Sequence, residues 1–330
     1  MKTILVTGAA GFIGAAVVSR LLKTSDSKVI GIDNINDYYD VSLKYARLNE
    51  LKNDRFEFTE LDFCDFDALT KLWADTKPDI VIHLGAQAGV RYGLKNPLAY
   101  LKSNLIGHFN MLEVCRNAEK PVEHFLYASS SSVYGSNSKV PFEETDNVSQ
   151  PQSIYAATKG SDELITHAWS NQFKMPATGL RFFTVYGPWG RPDMSPMIFA
   201  SALLNDKPIP LFNGGDLMRD FTYIDDIVEA IVRLIPHIPS ANGGLTPHKI
   251  YNLGNQNPIR MTEFVKAMAD AFGVEPRVEN LPWPPTEVYR TYADTSRLKN
   301  DIGWAPSTPL KDGLAKFAEW YKPRHGTIIV

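Results

Sequence analysis

The chain has 330 residues, 44% of them hydrophobic and 22% charged, with a formal net charge of −3. That length supports a substantial core, as one large domain or two closely joined ones. The charge balance excludes the electrostatic footprint of a nucleic-acid or anionic-membrane binder, and two cysteines, Cys64 and Cys115, make neither a disulfide framework nor a metal site.

Ile4, Leu5 and Val6 read as a short strand buried on both faces. Gly8, Gly11 and Gly14 punctuate the turn into a helix that begins near Phe12 and carries Val17, Val18, Leu21 and Leu22 at helical spacing. A second apolar run, Lys28-Val-Ile-Gly-Ile, ends in Asp33. Strand, glycine turn, helix, strand and carboxylate form the plan of a dinucleotide site. One glycine relieves a strained turn, the next admits a pyrophosphate, and the third lets helix pack on strand. The helix start, with Phe12 and Ile13, offers unpaired N–H groups to phosphates. Asp33 accepts from the adenosine ribose hydroxyls, and no Arg follows it to welcome a 2′-phosphate, so the expected cofactor is NAD. The spacing is G-x-x-G-x-x-G rather than G-x-G-x-x-G, which points away from ordinary alcohol or hydroxy-acid dehydrogenases. The apolar stretch from Lys2 to Val18 superficially mimics a signal peptide, but its glycines, Arg20 and the strand-turn-helix pattern assign it to the folded chain. No other run approaches the ~20 apolar residues of a membrane helix, and the cytoplasm is the expected compartment.

Further strand-like runs follow at Phe56–Leu61, Ile80–Leu84, Phe125–Ser129, Ala177–Phe183 and Ile250–Leu253, with helical segments between. Such alternation predicts an α/β Rossmann fold, a doubly wound parallel sheet whose ligands bind beyond the carboxyl ends of its strands. Asp62, after the third strand, is placed to accept from the adenine amine; a loop aspartate or helix cap before Ala68-Leu69 fits nearly as well. After Phe183, Gly187-Pro-Trp-Gly-Arg-Pro, Lys207-Pro-Ile-Pro and Leu281-Pro-Trp-Pro-Pro are rich in turn formers. The expected division is residues 1–183 with a return segment at about 220–258 for the dinucleotide, and about 184–219 with 259–330 for the substrate.

Tyr155-Ala-Ala-Thr-Lys159 places a phenol and an ammonium on one face of a helix. A nearby ammonium stabilises a phenolate, which makes the tyrosine a usable base, and the lysine can also hold the nicotinamide ribose. With 14 tyrosines in the chain the spacing alone carries no weight. Its position does: it follows the fifth strand and the tail Ser129-Ser-Ser-Ser-Val-Tyr-Gly135, at the edge where a substrate should lie. A hydroxyl there can bridge the tyrosine and a sugar hydroxyl. Serines that only satisfy strand-end backbone groups are the plainer alternative.

These motifs, with Arg219-Asp-Phe-Thr-Tyr-Ile-Asp-Asp226, resemble those of extended short-chain dehydrogenases/reductases acting on nucleotide sugars, over nearly the whole chain. Ala86-Gln-Ala-Gly-Val-Arg-Tyr92 and Arg181-Phe-Phe-Thr-Val-Tyr-Gly-Pro-Trp-Gly-Arg-Pro-Asp193 are most similar to UDP-glucuronate 4-epimerases, in which a tightly held NAD takes hydride from C4 and returns it to the other face. The resemblance implies Tyr155 as base, Lys159 as its electrostatic partner and ribose ligand, and Ser130 as the bridging hydroxyl. It implies Ser131, Ser132, Thr184 and Arg91 as substrate contacts, Arg191 as the carboxylate ligand and Arg219 as a ligand of the UDP diphosphate. Asn104, in a polar break before a helix from Gly107 to Arg116, is implied as a nicotinamide-side contact. A surface arginine in a Pro/Gly loop is the plain reading of Arg191, and an ion pair with Asp216 or Asp220 that of Arg219. Dehydratases and decarboxylases of the family carry a carboxylate just after the bridging hydroxyl; Ser131 and Ser132 stand there instead, which disfavours elimination.

The chain departs from the pattern at Gly85 and Gly93, which remove side-chain atoms near the expected sugar, and at Pro282–Val288, where Glu287 replaces the usual aspartate. A 4-epimerase of neutral UDP-hexoses or N-acetylhexosamines, and a non-catalytic nucleotide sensor on the same fold, remain alternatives. The segments around 107–117 and 153–169 match helices that relatives pair across a two-fold, so a homodimer is expected.

Overall fold

The computed structural model describes residues 1–283 and 288–327, so the divergent positions Pro284–Glu287 lie outside the described residues. Its strands are β1 (Thr3–Thr7), β2 (Lys28–Asp33), β3 (Phe56–Glu60), β4 (Ile80–His83), β5 (His124–Ser130), β6 (Ala177–Phe182), β7 (Thr184–Tyr186), β8 (Ile209–Phe212), β9 (Met218–Tyr223), β10 (His248–Leu253), β11 (Pro258–Arg260) and β12 (Val278–Leu281). Seven form one parallel sheet in the order β10-β6-β5-β4-β1-β2-β3. Strand order reverses between β1 and β4, and a crevice opens at their carboxyl ends.

Both faces of the sheet are covered, which is why its strands read as unbroken apolar runs. Ile4 and Val6 of β1 enter one core layer with Val17, Val18 and Leu21 of the helix Phe12–Thr24; Leu5 enters the other with Met111, Leu112 and Phe125. Full burial of such side chains contributes about 1.5–3 kcal/mol each relative to exposure. β3 is the half-exposed edge strand.

Two smaller sheets complete the fold: β11-β9-β7, with one antiparallel and one parallel pairing, and the parallel pair β12-β8. The chain passes from the large sheet to the three-stranded one at 182–184 and 253–258, and leaves β9 at Tyr223 straight into the helix Ile224–Leu234. These passages are neighbours: Phe183 N–H donates to Leu253 O (3.1 Å), and Tyr186 pairs with Tyr223. The buried Asp220 carboxylate ties the same region together by accepting from the N–H groups of Asn255 (2.7 Å), Gln256 (3.2 Å) and Ala293 (3.0 Å).

Three local expectations are corrected. No break separates Asn104 from the following helix: the chain is helical from Pro97 to Arg116, with a π-helical stretch at Leu101–Gly107. The wide turns there let Asn104 bond to the Gln87 backbone. Gly85 and Gly93 do not make room for a sugar. A Cβ on Gly85 would lie 2.5 Å from the Phe63 ring, and one on Gly93 2.5 Å from Ile154 Cγ2, so close packing accounts for both. Among the described residues no helix is long and apolar enough to cross a membrane.

Candidate active site

The glycine turn is built as its spacing implies. Gly8 adopts φ +69°, and a Cβ there would lie 2.8 Å from Gly85 N. A Cβ on Gly14 would come within 2.0 Å of Gly8 O, so only glycine lets the helix start against the turn. Gly11 N–H closes the turn onto Gly8 O (2.8 Å), and no side chain caps the helix at Gly11. The first-turn N–H groups are thereby left for an anion. Asp33 ends β2, buried, its Oδ1 accepting from Ile35 N–H (2.9 Å) and from Lys44 Nζ (3.4 Å). A cradle that admits no side chain, with uncapped N–H donors and a carboxylate on the next strand, fits a dinucleotide.

Behind the turn, Thr7 Oγ1 accepts from Gly85 N–H (2.9 Å) and shares a hydrogen bond with His83 Nδ1 (2.7 Å). Burial lowers the His83 imidazole to about 3, so it is neutral.

The cleft above the strand ends has a volume of about 760 Å³. Its walls include the glycine turn with Phe12, Ile13 and Asp33, and also Ser130, Ser131, Ser132, Tyr155, Lys159, Thr184, Arg91, Arg191 and Arg219. Of the predicted site residues, only Asp62 and Asn104 stand outside this wall. Asp62 accepts from Cys64 N–H (2.9 Å) and Lys102 Nζ (3.3 Å). Asn104 spends its amide on Gln87 N (2.8 Å), Gln87 O (3.1 Å) and Thr158 Oγ1 (3.0 Å).

Tyr155 and Lys159 lie in the first turns of the helix Ile154–Phe173, which Ser153 caps by accepting from Ala156 N–H (3.1 Å). The Tyr155 ring meets the buried Tyr100 ring edge-on, centroids 6.1 Å apart. Lys159 Nζ donates to Asp162 Oδ2 (3.1 Å). Ser130 closes β5 and accepts from Ser132 N–H (3.2 Å). Its neighbour Ser129 donates to Glu163 Oε1 (2.5 Å), which Arg181 grips with two parallel bonds of 2.8 Å. That fork locks the end of β5 to the Tyr155 helix.

On the opposite wall, Arg191 donates through Nε (3.0 Å) and Nη2 (2.5 Å) to Asp193, and Tyr38 O–H donates to the same carboxylate (2.9 Å). Burial raises Asp193, but Arg191 outweighs it and holds the carboxyl below its usual range. Arg191 and Tyr155 are close enough to feel each other's charge. Arg91 stacks over the Phe212 ring at 4.6 Å. Arg219 donates to Met218 O (2.8 Å) and Tyr289 O (3.3 Å).

Sequence reasoning missed Lys44, Arg47, Asp162, Tyr38 and Asp193. Asp162 was within reach, being three residues beyond Lys159 on the same helix face. Lys44 and Arg47 gave no signal, because cations on a short amphipathic helix ordinarily read as solvated.

Fold and cleft together define a dinucleotide-dependent enzyme whose Ser130, Tyr155 and Lys159 line one cleft beyond the strand ends. Residues 4–254 match the NAD dependent epimerase/dehydratase family. The chain is 46% identical to the protein CapI of Staphylococcus aureus, with 96% of this chain and 98% of that one covered. It is 43% identical to UDP-glucuronate 4-epimerase 1 of Arabidopsis thaliana, covering 98% of this chain and 77% of that one. The crystal structure of a UDP-glucuronic acid 4-epimerase from Bacillus cereus, in complex with UDP-glucuronic acid and NAD, superposes with a TM-score of 0.88. Identity there is 33%, over 97% of this chain and 99% of that one. The chain belongs to the NAD dependent epimerase/dehydratase family. Within it, the protein is an NAD-dependent nucleotide-sugar 4-epimerase.

Proposed function

We propose that the chain interconverts UDP-glucuronate and UDP-galacturonate. The observation that carries this reading is Arg191. Its guanidinium lines the same cleft as Tyr155, and its Nη1 has no hydrogen-bond partner among the described residues. A guanidinium edge there suits a planar carboxylate, with Ser131, Ser132 and Thr184 nearby to supply further donors.

In this reading the glycine turn, Phe12, Ile13 and Asp33 hold NAD, with Lys159 on the nicotinamide ribose; Asp62 and Asn104 act from outside the cleft wall. Bound NAD supplies the hydride acceptor and donor. Tyr155, as phenolate, takes the proton of the sugar 4-hydroxyl through or beside Ser130, and returns it after the sugar has turned over. Lys159 supports the phenolate electrostatically. Arg219 meets the diphosphate of the substrate, and Arg91 is a further substrate contact. Oxidation at C4 of a glucuronate gives a β-keto acid, which loses CO₂ readily. Arg191 holds the carboxylate in an orientation unfavourable to that cleavage. We also propose a homodimer, formed through the helices at 97–116 and 154–173, whose outward faces carry exposed Leu98, Ile106, Phe109 and Leu164.

The test is to incubate the protein with UDP-glucuronate and with UDP-glucose separately and to resolve the products. Conversion of the uronate supports the reading. Epimerisation of the neutral sugar alone overturns it, and absence of turnover with either favours a nucleotide sensor. Arg191→Met should raise KM for UDP-glucuronate by about 10–100-fold, the worth of a charge-assisted pair, and add a pentose product. Unchanged kinetics and products would remove Arg191 from the carboxylate site.

A further inference from the structure

Arg47 is 1% exposed, and it uses all five of its N–H donors without touching a carboxylate. Nε and one Nη2 hydrogen go to Trp189 O (3.1 and 2.7 Å), and the other Nη2 hydrogen to Gly190 O (3.2 Å). Nη1 donates to Ala10 O (3.0 Å) and Tyr39 Oη (2.7 Å). Ala10 belongs to the glycine turn, and Trp189 and Gly190 immediately precede Arg191. One side chain therefore bridges the cofactor turn and the segment that presents the guanidinium of Arg191. The bridged backbone is not a relaxed one: Trp189 sits at φ +64°, a left-handed conformation that a bulky residue keeps only where its surroundings enforce it.

A buried cation without a contacting anion is costly, and an apolar side chain of similar volume would fill the space at less cost. Asp33, the acid whose charge reaches Arg47, is already paired with Lys44 from the same helix, Val41–Asn49. What the guanidinium supplies that a hydrocarbon cannot is a rigid fork reaching carbonyls on two separate segments at once. Lysine, with one nitrogen, cannot span them.

We propose that Arg47 is a positioning residue for substrate recognition: it holds Trp189–Gly190 against the cofactor turn and so sets where Arg191 meets the sugar carboxylate. The proposal rests on the UDP-glucuronate reading above. Loss of the fork lets the segment relax, and the carboxylate contact weakens while the proton-moving groups stay in place.

The test is a double-mutant cycle on the NAD-loaded enzyme, with Arg47→Lys, Arg191→Met and both together. Melting temperature and bound NAD are recorded as fold controls. Arg47→Lys is expected to raise KM for UDP-glucuronate about tenfold, as for loss of hydrogen bonds at a charged group, with kcat lowered less than about threefold. In the Arg191→Met background the same change should add less than about twofold. Tyr39→Phe, which removes one acceptor and leaves four bonds, provides a milder variant if Arg47→Lys fails to fold; its KM effect is smaller and equally absent in the Arg191→Met background. An unchanged KM in a folded Arg47→Lys or Tyr39→Phe enzyme overturns the proposal, as does an equal factor in both backgrounds. Insensitivity of KM to Arg191→Met overturns the carboxylate reading itself, and the proposal with it. Sensitivity to Arg191 with none to Arg47 overturns the proposal alone.

Discussion

Lys159 and Asp162 form an ion pair of 3.1 Å in which neither side chain is more than 2% exposed, one turn along the helix from Tyr155. Asp162 Oδ1 has no hydrogen-bond partner among the described residues. The groups around the pair leave it isolated. His83 and His108 are held neutral by burial, Tyr127 is raised by burial, and Glu163 is committed to Arg181 and Ser129.

Burial pushes the Asp162 carboxyl up to about 7, with Lys159 pulling it back. Its unfolded value is near 3.8, so between roughly pH 4 and 7 the folded state holds a proton that the unfolded chain has released. The contribution of Asp162 to stability is therefore greatest below that window and falls as pH rises to about 7. Asn does not titrate. The melting temperature of Asp162→Asn relative to the parent should shift upward between pH 5 and pH 8, measured by thermal unfolding at both. A constant difference would show that Asp162 stays ionised throughout.

Tyr155→Phe keeps the ring against Tyr100 and removes only the oxygen. Turnover should fall by about 10²–10⁴, the usual worth of a positioned acid–base group, while calorimetric affinity for the UDP-sugar changes little. A fall below tenfold would assign the proton transfer to another residue.

Gly14→Ala puts a methyl 2.0 Å from Gly8 O, a backbone atom that cannot swing aside. The helix must move off the turn, at a cost of about 1–3 kcal/mol. The purified variant should carry less NAD, by absorbance after denaturation, and melt several degrees lower.

Leu164→Glu places a charge on an apolar helix face, at a residue 73% exposed in the single chain. Light scattering should report a dimer for the parent and a monomer for the variant. An unchanged mass in the variant would move the interface elsewhere, and a monomeric parent would remove it.

The dinucleotide half was legible because its constraints are local. Gly14 is demanded by Gly8 O, six residues away, and Gly8 by its own positive φ, while the apolar run of β1 follows from burial on both faces. Tyr155 and Lys159 were legible through helical spacing once the fifth strand was placed. Arg47 was not, since the Trp189 and Gly190 carbonyls it holds lie 142 and 143 residues away and nothing in Val41–Asn49 announces them. The π-helical stretch at Leu101–Gly107 escaped for the same reason: it depends on Asn104 meeting the Gln87 backbone, and on a glycine at 107 where a Cβ would lie 2.3 Å from Phe63. Gly85 and Gly93 misled because the absence of a side chain reads as empty space, while tertiary packing had filled it.

The two crossings from the large sheet into the three-stranded one, at 182–184 and 253–258, run side by side, and Asp220 fastens the second of them. A slide of the small sheet along the large one would strain both crossings at once. Ser130 stands in register with Phe182, the last residue before the first crossing, so the serine end of β5 and the start of the small sheet are fixed to one another.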